Sequence, residues 1–335
     1  MSPNVRKFIG ALAFLVVAAA LPFVTDNIYY IRIATLIGIY WILVAGLNLV
    51  IGYCGQISIG HVGLLALGAY CFAILAGKAG VDPWVATAAS ALLGGLCGLA
   101  LGLPSLRLPG FYFAMTTLAF GMIVAELSVA WEWLTGGGVG LMVPFYPGEF
   151  ASPWGFYWLV VGIAAIVSWL VWNLGRHAWG RAMISVRDSE VAAAAVGVPI
   201  YKIKLYVFTF SGVLAGLAGA LFASYQSYIT PETFVFELSM FFFVCIVVGG
   251  RGSILGPFIG VIVLAALPEI VAPLAKLGTF FYGVLLLIVV LLLPEGIGNL
   301  IHILRDRFNP IERRSSGIVP DLERLAAALR QGGMK

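Results

Sequence analysis

The sequence predicts an all-α, polytopic membrane protein, and three observations carry that prediction. Of the 335 residues, 61% are hydrophobic and only 10% are charged, whereas a soluble chain carries about a quarter charged residues. The mean hydropathy is +1.04. Apolar runs recur at the roughly 20-residue length that a helix needs to cross about 30 Å of hydrocarbon. They are solid, as over 156–174, unlike the short alternating segments of a membrane β-barrel.

Walking the chain gives about ten spans of that length: 8–24, 33–51, 59–76, 84–103, 111–131, 154–174, 205–225, 236–249, 253–271 and 278–293. The first follows Arg6 and Lys7, and no small-residue cleavage site precedes Thr25, Asp26 and Asn27. It therefore reads as a retained helix rather than a signal peptide. The span 236–249 is short. Cytoplasmic loops retain Lys and Arg. If every span crosses, Arg6, Lys7, Arg107, Arg176, Arg181, Arg187, Lys202, Lys204, Arg251, Arg305, Arg307, Arg313 and Arg314 share one side. That side reads as the cytoplasm, with both termini in it. On the other side, loop 132–153 carries Glu132 and Glu149, loop 226–235 carries Glu232, and neither has a basic residue. Lys78, Lys276 and Arg32 are single exceptions.

The domain division follows: a transmembrane domain over 1–304 and a polar cytoplasmic tail over 305–335, in which 322–329 has the pattern of a short amphipathic helix. Neither loops nor tail have the length of a soluble catalytic domain. Tyr29, Tyr30, Trp84, Trp131, Trp133, Trp154 and Trp158 fall near one membrane interface, and Trp172 and Trp179 near the other, the pattern of interfacial anchors. Cys54, Cys71, Cys97 and Cys245 are scattered through apolar segments without metal-ligand spacing, so they read as packing residues and no metal is expected.

Two apolar runs are broken by glycine. GYCGQISIGHVGLLALGAY, from Gly52, sets Gln56, Ser58 and His61 among its glycines; VVGGRGSILGPFIGV, from Val247, sets Arg251, Gly252 and Ser253 among its own. Breaks at matching places in two halves suggest an internal duplication and point to a transport pathway. Span counting makes the copies parallel; a re-entrant segment in either makes them inverted. Glycine either lets helices approach closely or lets backbone carbonyls face a cavity. Polar side chains are costly in lipid, so Gln56, Ser58, His61 and Ser253 are candidates to face the bundle interior, with a purely structural histidine as the competing reading of His61. Glu126, well inside the run 111–131, is either an outer-vestibule residue or a structural partner.

The segment 175–204, GRHAWGRAMISVRDSEVAAAAVGVPIYKIK, is a charged island in this apolar chain. Asp188, Ser189 and Glu190 are helix-start residues, Ala192 to Ala195 helix formers, and Gly197 and Pro199 stop signals. A short helix from Asp188 to Gly197 follows. At about 1.5 Å per residue it is far too short to span, which leaves a surface connector or an element that docks on a partner.

Glu190, Ala192, Ala193 and Gly197 resemble the EAA motif of ABC importer permeases. The block GRAMISVRDSEVAAAAVGVPIYKIKLYVFTFSGVLAGLAGAL is similar to the corresponding segment of LivM-type branched-chain amino acid permeases. LNLVIGYCGQISIGHVGLLALGAY from Leu47, RLPGFYFAMTTLAFG from Arg107 and VVGGRGSILGPFIGVIVLAALPE from Val247 extend that resemblance, in the same order, over 47–294. Cys54 and Val62 depart from it, standing where the family usually has alanine. The resemblance implies an inner-membrane subunit of an ATP-driven importer of leucine, isoleucine and valine. Its implied partners are a second permease similar to LivH, two cytoplasmic ATPases similar to LivG and LivF, and a periplasmic binding protein received by the loops 132–153 and 226–235; no nucleic acid and no cofactor are implied. Arg181, Arg187, Asp188 and Glu190, with the motif residues Ala192, Ala193 and Gly197, would form the ATPase contact. Gln56, Ser58, His61, Glu126, Gly252 and Ser253 are candidates for the translocation pathway.

The chain has no GxxxxGK[ST] phosphate loop, which fits a subunit energised by others. A secondary transporter would carry ionisable residues deep in its spans, and only Glu126 comes close. An enzyme needs a catalytic cluster, and the one grouping, His177, Asp188 and Glu190, reads as a solvated surface. A channel leaves the 188–197 helix unexplained. Permeases for urea, ribose or other small polar solutes share these blocks and remain the alternative substrates.

Overall fold

The computed structural model describes residues 27–108 and 110–271. The expected spans 8–24 and 278–293, Lys276 and the tail 305–335 lie outside the described residues. Among those described, seven helices are long and apolar enough to cross a membrane.

Helix α1, Ile28–Asn48, starts where the Asn27 side chain accepts from the Tyr29 N–H, and it runs on through a wide π-helical turn, Leu49–Tyr53. Helix α2, His61–Phe72, likewise ends in a π-turn, Ala73–Lys78. Helix α3, Pro83–Ser105, begins on an Asp82 cap with proline in its first turn, where the missing N–H costs nothing. Helix α4 is Gly110–Ala130, followed by the single turn α5, Glu132–Thr135. Ser152 caps α6, Pro153–Arg176. The island forms α7, Ala178–Asp188, and α8, Glu190–Ala195. Then come α9, Ile200–Gln226, α10, Phe236–Gly249, and α11, Leu255–Val271.

Most predicted spans match these helices to within a few residues. The largest shifts, five residues each, are at α1, which begins at Ile28 rather than 33, and at α9, which begins at Ile200 rather than 205; Lys202 and Lys204 are good helix formers and do not end α9. At 17 residues, α11 is shorter than the seven.

Helix α9 lies against α2 and α3, and α1 against α6, α9 and α11. The apolar windows of α1, α2 and α9 are 67% buried, those of α4 and α6 only 28%, so the first three form the centre and the last two the rim. Small residues make this possible: Ser211, Gly212, Ala215, Gly216, Gly219, Ala220 and Ala223 are all buried along α9. A Cβ added at Gly216 would fall on the carbonyl oxygen of Ser90 in α3, so the two backbones touch, as membrane helices do where van der Waals packing drives association.

The bundle has two distinct ends. At the island end, the Tyr201 hydroxyl donates to the Leu103 carbonyl at 2.7 Å, the Arg107 guanidinium lies over the Tyr201 ring, and Gly175 packs against Tyr53. At the other, β1, Leu141–Met142, pairs antiparallel with β2, Tyr228–Ile229, clipping the loops 132–153 and 226–235 together. Two of the three basic residues that break the charge pattern are here, each with an occupation. Lys78 donates to the carbonyls of Trp133 (3.0 Å) and Leu134 (2.7 Å) in α5, and Arg32 lies over the Tyr225 ring.

Candidate functional site

The site lies at the island end, where the charged segment meets both glycine breaks. Ser189 is extended, and its hydroxyl accepts from the Ala192 N–H to start α8. Gly197, at φ +81°, ends it, a conformation an L side chain adopts only with strain. Ala193 faces inward and is buried, while Val191 and Val196 are 82% and 77% exposed. Ala192, Ala194 and Ala195 are exposed beside them. The apolar face of α8 thus points away from its own chain.

The charges around α8 divide into two sets. Arg181 and Asp188 are exposed, and Arg181 makes no ion pair among the described residues. Arg187 and Glu190 instead turn toward the bundle. Glu190 Oε1 accepts from Lys204 Nζ of α9 at 2.7 Å, and the Lys204 side chain is only 9% exposed. The carboxylate therefore neutralises a nearly buried ammonium and ties α8 to α9. Arg187 Nη1 donates to the Gly52 carbonyl at 2.9 Å, and its Nε lies 3.2 Å from Asp188 Oδ1.

Gly52 is where the two breaks touch. The first break is the irregular stretch 54–60 between the π-turn of α1 and α2; the second is 250–254, between α10 and α11. Asn48, the last residue of α1, holds the second break, donating from Nδ2 to the Ser253 carbonyl at 2.8 Å while its Oδ1 accepts from the Gly252 N–H at 3.4 Å. A Cβ at Gly52 would sit 2.5 Å from the Gly252 nitrogen, and one at Gly252, where φ is +80°, would sit 2.8 Å from Arg187 Nη1. Glycine is required at Gly52 because a Cβ would meet the Gly252 backbone, and at Gly252 because its positive φ suits no L side chain.

The remaining predicted residues fall in three places. Ser58 and His61 form one buried cluster: His61 Nδ1 and Ser58 Oγ are 2.8 Å apart, His61 Nε2 and Ser211 Oγ of α9 are 2.8 Å apart, and the imidazole meets Phe208 edge to face. Both ring nitrogens are thus engaged by the protein. Gln56 is buried nearby in the break, its N–H bonded to the Val50 carbonyl. Gly252 and Ser253 sit at the other break, where the Ser253 hydroxyl caps α11 through the Gly256 N–H at 3.0 Å. Glu126 stands apart on the exposed face of α4. Cys54, the first residue of the first break, has its thiol pushed up to about 12 by burial, against the pull of the Lys204 charge, so it is a neutral packing group.

Sequence reading missed Asn48, Lys204, Ser211 and Thr117, whose hydroxyl accepts from the Ile59 N–H at 3.2 Å. The signal was present for Asn48, a lone amide in an apolar run and therefore in need of partners.

The chain matches, over residues 29–290, the family described as branched-chain amino acid transport system, permease component. It is 33% identical to the high-affinity branched-chain amino acid transport system permease protein LivM of Escherichia coli (strain K12), covering 88% of this chain and 75% of that protein. It is 26% identical to a probable branched-chain amino acid transport permease protein LivM of Methanocaldococcus jannaschii, over 62% of this chain and 66% of that one. It is also 27% identical to the autoinducer 2 import system permease protein LsrC of Yersinia pestis (strain Pestoides F), over 85% and 83%. No solved structure matches the chain.

Proposed function

The chain belongs to the family of branched-chain amino acid transport system permease components, and from that premise we propose that it is the membrane subunit of an ATP-binding-cassette importer that carries leucine, isoleucine and valine across a bacterial inner membrane. The island end faces the cytoplasm, as its basic residues require, and the β-clipped loops face the binding protein. The partners are a second permease similar to LivH and two ATPases similar to LivG and LivF. The permease has about ten spans in an internally duplicated domain over 1–304, with a cytoplasmic tail over 305–335.

One observation carries this reading: Arg187, next to the docking helix, is hydrogen-bonded to the first glycine break and wedged against the second. Closure of the ATPase dimer would push on Val191, Val196 and the exposed alanines of α8. Lys204 passes the displacement to α9, and Arg187 passes it to α1 and the α10–α11 junction. Rigid-body motion of packed helices around such a contact is a recognised means of alternating access. Arg181 is the charge left free to meet the ATPase, with the exposed Asp188, paired to Arg187, beside it.

The likeness to an autoinducer 2 import permease favours a second reading, in which the same machinery carries another small polar solute. Purification of the tagged chain is expected to bring the second permease and both ATPases with it. Proteoliposomes of that complex, with the binding protein inside the assay, are expected to take up labelled leucine on addition of ATP. Uptake driven by an ion gradient without ATP refutes the importer; ATP-driven uptake of another solute with none of leucine selects the second reading.

A further inference from the structure

The loop end of the bundle holds a cavity of about 340 Å³ between the start of α1, the start of α6 and the last turn of α9. Ligand pockets run from about 300 to 1,000 Å³, so this one suits a molecule of a few heavy atoms. Its walls carry three kinds of group. Arg32 supplies a cation; Phe145, Phe150 and Phe156 supply an apolar face; Ser224, Tyr225 and Ser227 bring the end of α9.

Arg32 is the informative member. It stands on the side of the membrane where the charge pattern disfavours a cation, and no carboxylate pairs with it among the described residues. Its guanidinium carbon lies 5.4 Å from the Tyr225 ring centroid. A cation–π contact of that kind holds the charge in place while leaving the N–H fork, which matches a carboxylate two bonds at a time. Facing it, the last turn of the 27-residue α9 presents the carbonyl end of a helix, which favours an ammonium group. Ser227, on the cavity wall, is the one non-glycine residue with positive φ among those described, at +61°, and strained backbone of that kind clusters at functional sites.

We propose that this cavity is an outer receiving site for a zwitterionic amino acid with an apolar side chain. Its carboxylate sits on Arg32, its ammonium toward the end of α9 and its side chain against the phenylalanines. This rests on the importer reading and adds to it a place where the permease itself selects substrate after release from the binding protein.

The test uses the complete permease–ATPase complex in nanodiscs without the binding protein, with radiolabelled leucine as probe. Saturable binding is expected, competed by valine but not by leucinol, which lacks the carboxylate. Arg32→Gln is expected to weaken binding at least tenfold, and Phe145→Trp, which narrows the cavity while keeping the arginine, is expected to weaken it too. The proposal is overturned if the wild-type complex transports leucine but does not bind it without the binding protein. It is equally overturned if both variants bind as wild type does, if leucinol competes fully, if Arg32→Gln loses only its association with the binding protein, or if an anionic phospholipid rather than leucine is what the wild type retains and the variant loses. A wild-type complex that takes up no leucine at all refutes the importer reading instead.

Discussion

Arg187→Gln tests the link between docking helix and glycine breaks. The substitution keeps a polar side chain of moderate length but removes the charged donor that reaches the Gly52 carbonyl at 2.9 Å. A hydrogen bond to a charged group contributes about 1.5–3 kcal/mol. The Arg187 side chain is 36% exposed, so water replaces part of the loss and about 1–2 kcal/mol is the working figure. The contact with Asp188, whose side chain is 63% exposed, adds little. One to two kcal/mol corresponds to a factor of about 5–30 in an equilibrium. If Arg187 transmits the motion of α8 to the breaks, that factor appears in the amount of leucine moved per ATP hydrolysed. Both quantities are measured in the same proteoliposomes, so a loss of assembled complex cancels in the ratio. A ratio unchanged from wild type, whether uptake and hydrolysis fall together or not at all, refutes the transmission argument. Arg187→Lys keeps a donor on a shorter, unforked side chain and is expected to fall between the two.

Three further substitutions follow from the packing. Gly216→Val drives a branched side chain into the Ser90 carbonyl; overpacking costs about 1–3 kcal/mol, and with backbone as the obstacle the upper end is expected, read as a lowered thermal midpoint of the purified complex. Glu190→Gln leaves the Lys204 ammonium nearly buried without its carboxylate. It is expected to destabilise by about 1–3 kcal/mol, with Glu190→Gln/Lys204→Met recovering most of that in a double-mutant cycle; additive effects would mean the pair does not tether α8. Gly197→Val places a β-branched residue at φ +81°, a marked outlier, in a spot with no neighbouring atoms to clash with. The chain is expected to insert normally while retention of the ATPases on the affinity column falls, and full retention would show that the geometry of α8 is not what they read.

The spans among the described residues were legible because a bilayer imposes one length on every helix that crosses it, and runs such as 84–103 and 154–174 need no neighbours to be recognised. The short helix α8 was legible for a local reason as well, since Ser189, Glu190, four alanines and Gly197 are start, body and stop in a single stretch, but Asp188, expected to begin it, is instead the last residue of α7. What could not be read was which polar residues find each other. His61 meets Ser211 across 150 positions of sequence and Asn48 meets Ser253 across 205, and no periodicity carries that information. The direction of the island charges was equally hidden. Glu190 looks like a surface carboxylate until α9 brings Lys204 against it, and Arg187 like a docking charge until α1 offers it a carbonyl.

The place where Arg187 attaches also explains how a small displacement could matter. Through Ile51, α1 is buried on nearly every side from Ile39 onward, and a close-packed helix resists deformation because each shift forfeits contacts on both sides. Gly52, however, lies in the π-turn Leu49–Tyr53, where the regular i→i−4 ladder is interrupted and the helix is widened. Immediately beyond it, Gly55 at φ +71° turns the chain out of helical geometry. The guanidinium therefore grips α1 at its most compliant point, with Gly252 and the second break directly beneath. A force delivered there can reshape two broken segments while the rigid centre made by α1, α2 and α9 keeps its packing. That separation of a stiff frame from a soft, glycine-lined junction suits the partner-driven motion proposed above.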